Sequence, residues 1–212
     1  MSKRLADRFA ACREAKRTAF VGFVTAGYPK LEDTVPALLE MEKSGCDVIE
    51  LGVPFSDPMA DGSVIEAASV VALKNGVQYE DTLKYCSEAR AKGLTVPVLM
   101  MGYYNSFLAA GVEETCKAAK AAGVDGFIIV DLPCEEAWRI MAPAAAANDL
   151  SLVPLASPTS GAERIAQARA AAPKPAPPPP VHYGYHHHLS PRPFVSLPAL
   201  ARDLRRLLLH LC

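Results

Sequence analysis

Short apolar runs alternate with longer stretches of helical character over the first 172 residues. The runs predict strands over Phe20–Thr25, Asp47–Leu51, Val96–Met101, Phe127–Val130 and Leu152–Leu155. Between them the pattern predicts helices over residues 32–43, 62–74, 79–91, 112–121, 135–147 and 161–171. Glycines and prolines punctuate nearly every junction, among them Gly27, Gly45, Gly93, Gly123, Pro133 and Pro158. Strands apolar on both faces and separated by helices build a parallel sheet, which makes the chain α/β. The turn Gly-x-Asp precedes two strands (Gly45-Cys46-Asp47 and Gly123-Val124-Asp125), so one helix-to-strand connection is used twice.

Five βα units are visible. They point to a (β/α)8 TIM barrel, incomplete by three units, rather than to a doubly wound sheet. No G-x-G-x-x-G follows the first strand, which removes support for a dinucleotide fold. Ahead of β-structure, Leu5 and Phe9 mark a short amphipathic helix expected to cover one end of the fold. Asp81, and Ser160 ahead of Glu163, mark expected helix starts.

Composition divides the chain. Residues 1–172 form the partial barrel domain, whereas 173–212 are expected to be a separate Pro/His-rich tail with a short Leu/Arg helix. That tail holds nine of the 18 prolines and all five histidines. With no histidine before His182, acid–base work in the folded part must fall to carboxylates, tyrosines or lysines. Adjacent histidines at 186–188 lack the spacing and supporting shell of a metal site. The net charge of −1 gives no pull toward nucleic acid or membrane. The six cysteines form no C-x-x-C pair, so they read as free thiols in a reducing, cytoplasmic setting.

The chemistry concentrates in one run, Glu50-Leu51-Gly52-Val53-Pro54-Phe55-Ser56-Asp57-Pro58-Met59-Ala60-Asp61-Gly62. It follows an apolar strand and sets Glu50 and Asp61 at either end of a proline-braced turn. A carboxylate at the C-terminal end of a barrel strand faces the catalytic rim. Apolar neighbours would let Glu50 both donate and accept a proton near neutrality. Asp61 has a competing reading as a helix cap. For Asp57, Asn105 and Asp131, a role in structuring their loops competes equally with a chemical one.

Phe23-Val24-Thr25-Ala26-Gly27-Tyr28-Pro29, the run from Glu50 to Gly62, Met101-Gly102-Tyr103-Tyr104-Asn105, Asp131 to Glu136, and Pro158-Thr159-Ser160 with Arg164 together resemble the tryptophan synthase alpha family. The resemblance implies a TIM-barrel lyase that cleaves indole-3-glycerol phosphate to indole and glyceraldehyde 3-phosphate. By that resemblance Glu50 is the acid–base catalyst and Asp61 the partner of the indole N–H. Phe23, Met101, Tyr103 and Ile129 fall where the family lines the substrate pocket. Pro54, Asp57, Asn105, Asp131 and Pro133 match loops facing a beta subunit or fused beta domain. The alpha-type reaction implies no cofactor; pyridoxal phosphate would belong to the beta partner. Ser63 and Glu66 depart from the usual proline and glutamine, and Glu66 adds a negative charge near Asp61. The family's sixth strand and its Gly-rich phosphate loops have no counterpart after Ala172. The alternative expectation is therefore a truncated, catalytically inactive fragment that retains only partner-facing loops.

Overall fold

The computed structural model describes residues 2–132 and 137–155. The expected helix at 161–171, the tail at 173–212 and the partner-facing Pro133 lie outside the described residues. Five strands, β1 (Val21–Thr25), β2 (Val48–Gly52), β3 (Val98–Gly102), β4 (Gly126–Ile129) and β5 (Ser151–Val153), form one sheet in the order β1-β2-β3-β4-β5. Every neighbouring pair is parallel. Sequential order with helical crossovers is the βα progression of a barrel wall.

The helices are α1 (Lys3–Glu14), α2 (Thr34–Lys43), α3 (Ser63–Lys74), α4 (Tyr79–Ala91), α5 (Tyr104–Ala109), α6 (Val112–Ala121) and α7 (Ala142–Ala147). A single π-turn, Ala137–Met141, leads into α7. Helix α4 starts ahead of Asp81, whose carboxylate accepts the Gln78 N–H at 2.9 Å from within the first turn. Helix α5 was not expected; its six residues are too few to display a period.

Alternation along the strands sorts the core into two layers. Ile49, Leu51, Val98, Met100, Phe127 and Ile129 pack toward the helices. Val48, Leu99, Met101 and Ile128 face the opposite side with Leu5 of α1, and Phe9 packs against them. So α1 closes one end of the inner layer, as its apolar spacing predicts.

The repeated Gly-x-Asp turn explains how the strands are started. Gly45 (φ 93°) and Gly123 (φ 83°) end α2 and α6 in the left-handed region, where glycine carries no Cβ penalty. The next residue closes each turn, Cys46 N–H to the Met41 carbonyl and Val124 N–H to the Ala119 carbonyl, both at 3.0 Å. The aspartate that follows is buried, and its carboxylate accepts the amide of the preceding strand: Phe20 N–H to Asp47 at 2.8 Å, Val98 N–H to Asp125 at 3.0 Å.

Arginines complete both sites. Arg17 grips Asp47 with two bonds of 2.6 Å, and Arg8 of α1 is ion-paired to it. Asp125 is held by Arg90 of α4 at 2.9 Å, by Arg4 of α1 at 2.8 Å and by the Ser2 hydroxyl at 2.8 Å. Hydrogen bonding from Arg17 holds the Asp47 carboxyl well below the usual carboxylate range. A depressed folded value means that this stabilisation is present above the ordinary value of 3.8 and is lost as pH falls below it. Cys46, Cys86 and Cys116 are buried, and burial pushes each thiol up to about 11, so they act as small apolar fillers.

Asp125→Ala is expected to cost roughly 3 kcal/mol in urea unfolding, because it leaves the part-buried Arg90 charge without its carboxylate and a buried strand amide without its acceptor. Arg4→Ala removes a partner whose side chain is 45% exposed, and the expected cost is about 0.5–1 kcal/mol. Equal losses from the two variants would contradict a buried clamp at Asp125.

Candidate active site

Strand β2 supplies the first carboxyl. Ile49 and Leu51 point into the helix-facing layer, so Val48, Glu50 and Gly52 face the inner side. Glu50 is 5% exposed, and the register sets it level with Phe23 of β1 and Leu99 of β3. One pleat nearer the strand ends, Thr25, Gly52 and Met101 form the next level. Gly52 leaves room here: a Cβ would stand 2.5 Å from the tip of the Phe23 ring, which would have to move. Its absence lets that ring lie across the strand end.

Above this level opens a small cleft. Phe23, Thr25, Met101 and Tyr103 line it, with Asp61 and, from α3, Ile65 and Ser69. Glu50 lies below the cleft lining, on the same inner face.

Asp61 reaches the cleft through a braced loop. Val53 N–H bonds the Met101 carbonyl at 2.8 Å, continuing the sheet for one residue past β2. Pro54 is buried, and the Phe55 ring stacks on Tyr103 with centroids 4.6 Å apart and planes 15° from parallel. Tight turns follow, Met59 N–H to the Asp57 carbonyl at 2.8 Å and Asp61 N–H to the Pro58 carbonyl at 3.1 Å. The Ala60 N–H then donates to the Tyr103 hydroxyl at 2.8 Å, pinning the loop to the end of β3.

The Asp61 carboxyl is pushed above the ordinary range by burial. Hydrogen bonding with Tyr103 opposes that rise, and the charge of Glu66 adds to it. Its Oδ1 is buried and meets no hydrogen-bond partner, and the Thr25 hydroxyl in the same cleft shares that condition. Tyr103 is itself pushed up to about 12, first by burial.

Phe23, Met101, Tyr103 and Asp61 are thus gathered as expected, and Thr25 from the same strand end joins them. Ile129 is a correction. It points into the helix-facing layer, and Val130 lines the cleft instead. Val130, Ile65 and Ser69 were missed; the last two are spaced i, i+4 on α3, a signal that could have found them. Pro54, expected to face a partner, is also a correction: it is buried and braces the loop from within. Asp57 and Asn105 are exposed. Asp131 is exposed too, yet its carboxylate accepts the Tyr104 N–H at 2.6 Å and so stitches the end of β4 to the start of α5. Among the described residues no cluster of His, Cys, Asp or Glu could hold a metal ion, and no helix is long and apolar enough to cross a membrane.

Comparison with known proteins gives a consistent result. The family model described as tryptophan synthase alpha chain matches residues 9–173. A curated relative from Saccharomyces cerevisiae named tryptophan synthase is 48% identical over 165 residues, covering 78% of this chain and 23% of the relative. The tryptophan synthase alpha chain of Aquifex aeolicus is 42% identical over 162 residues, 76% of this chain and 62% of the relative. Among solved structures, the alpha subunit from Legionella pneumophila superposes with a TM-score of 0.78 at 35% identity, covering 81% of this chain and 65% of that one. Tryptophan synthase from M. tuberculosis gives 0.76 at 36% identity, over 82% and 69%. The chain spans about three-fifths of the length of its bacterial curated relatives.

A carboxyl raised by burial weakens the fold as pH rises. The native chain holds that proton more tightly than the unfolded one, so stability falls from the ordinary value of 3.8 up to the raised folded value. Asp61→Asn is therefore expected to raise the urea midpoint at pH 7 and to lose that advantage below pH 3.8. A lower midpoint at pH 7 would contradict the burial argument.

Proposed function

The chain belongs to the tryptophan synthase alpha chain family, and from that premise we propose that it carries the lyase chemistry of tryptophan biosynthesis, the retro-aldol cleavage of indole-3-glycerol phosphate. The observation that carries the reading is the pair of carboxyls at one strand end, one buried on the inner face of β2 and the other turned into the cleft above it.

In this reading the indole ring enters between Phe23, Met101 and Val130. Its N–H donates to Asp61. Glu50 gives its proton to ring carbon C3, and positive charge spreads to the ring nitrogen, where the Asp61 carboxylate stabilises it. The carbinol O–H beside the ring then loses its proton to Glu50, and the C–C bond breaks. Its electron pair returns to the ring, which leaves as indole, and the carbinol carbon becomes the aldehyde of glyceraldehyde 3-phosphate. One proton is given and one is taken, so Glu50 ends as it began. No redox step occurs and the cleavage needs no cofactor from this chain; pyridoxal phosphate would serve a beta partner.

That partner, a beta subunit or domain, would meet the exposed loops that carry Asp57 and Asn105. Residues 1–172 would be the alpha-type domain and 173–212 a separate tail, in a cytoplasmic protein. An inert fragment that keeps only partner-facing loops is the less favoured reading, because the described residues also hold the carboxyl pair and the cleft.

The test is indole release from indole-3-glycerol phosphate by the purified chain. Glu50→Gln is expected to slow release by roughly 10²–10⁴-fold, the usual worth of a positioned acid–base group. Release unchanged in that variant would remove Glu50 from the chemistry.

A further inference from the structure

Tyr103 stands among the cleft residues, but its hydroxyl is already engaged. The oxygen accepts the Ala60 N–H at 2.8 Å, and the ring face is covered by Phe55 at 4.6 Å. A phenol that accepts one bond still has its own proton to give, and the Asp61 carboxyl, one residue beyond Ala60, stands within hydrogen-bonding reach of it. Its Oδ1 is buried and unpartnered. Both residues line one cleft. From the other wall, the first turn of α3 brings Glu66.

We infer that Tyr103 is a positioning residue that acts through Asp61, fixing the Asp61 turn by its bond to Ala60 and directing its hydroxyl proton to the carboxyl, with Glu66 as the opposing charge. The inference rests on the lyase reading for its purpose, because an ionised and aimed Asp61 is what a ring N–H requires. It assigns Tyr103 a task other than touching substrate, and it gives the unusual Glu66 a consequence.

The groups around Asp61 make the balance readable. Burial raises its carboxyl, the Tyr103 hydrogen bond lowers it and the Glu66 charge raises it. Strand β2 contributes Glu50 lower on the inner face, and β1 contributes only the neutral Thr25. From β4 comes the apolar Val130, with Asp131 beyond it occupied by the Tyr104 N–H. Asp57 lies exposed on the loop beside the Ser56 hydroxyl. Removing the phenol and removing the Glu66 charge must therefore shift Asp61 in opposite directions, which loss of packing would not do.

The experiment follows the Asp61 carboxyl carbon by NMR through a pH titration of the full chain, in the parent, Tyr103→Phe and Glu66→Gln. Tyr103→Phe is expected to move the Asp61 titration to higher pH and to speed exchange of the Ala60 amide several-fold. Glu66→Gln is expected to move the titration to lower pH. A titration unmoved or lowered in Tyr103→Phe would overturn the inference. Glu66 is exposed, so its variant keeps the fold, and an unmoved titration there would overturn it independently. Neither titration needs substrate. Failure here would leave the lyase reading intact, and failure of indole release would leave these shifts in place.

Discussion

Register is the constraint on which the rest depends. In a parallel sheet a slip of one residue turns every inward side chain outward, and Glu50 would then face the helices in place of Leu51. Asp47 and Asp125 guard against that slip. Each starts a strand, and each carboxylate takes the amide of the strand before it, which ties β1 to β2 and β3 to β4. Arginines from α1, α4 and the segment after α1 then hold each carboxylate where it must be. With those levels fixed, Phe23, Glu50 and Leu99 share one layer, and Thr25, Gly52 and Met101 share the next.

The same residue type serves two ends of the sheet in opposite electrostatic settings. At the strand starts, Asp47 has a guanidinium on both oxygens and is held ionised. At the strand ends, Asp61 has one buried oxygen without a partner and a carboxyl raised by burial. The first arrangement stabilises the fold; the second leaves hydrogen-bonding capacity for a ligand, at a cost to stability. That division matches the general rule that barrels keep stability at one face and chemistry at the other.

Much of this was legible in the residue order. Parallel strands buried on both faces show as plain apolar runs, and Glu50 stands out because a carboxylate interrupts one. The same apolar character hides the facing of β4: in Gly126-Phe127-Ile128-Ile129-Val130 nothing polar marks which alternate residues turn inward, and it is Val130, not Ile129, that lines the cleft. Pro54 read as a loop surface because its burial depends on Val53 extending the sheet, a contact with β3 that no local pattern announces. The Gly-x-Asp turns were visible, but their arginine partners, as distant as Arg4 from Asp125, were not. The strand-end position of Tyr103 is visible in the sequence, whereas its hold on Ala60 spans 43 positions and appears only in three dimensions.

The central claim is that Glu50 exchanges a proton with the ring carbon of an indole held by Asp61. Proton NMR of indole in D2O, with and without the chain, tests it without requiring any carbon–carbon bond to break. The account predicts that the C3 hydrogen is replaced by deuterium faster than in buffer alone, and that Glu50→Gln returns the rate to that of buffer. Exchange at the buffer rate with the parent chain, or equal exchange with Glu50→Gln, would contradict it.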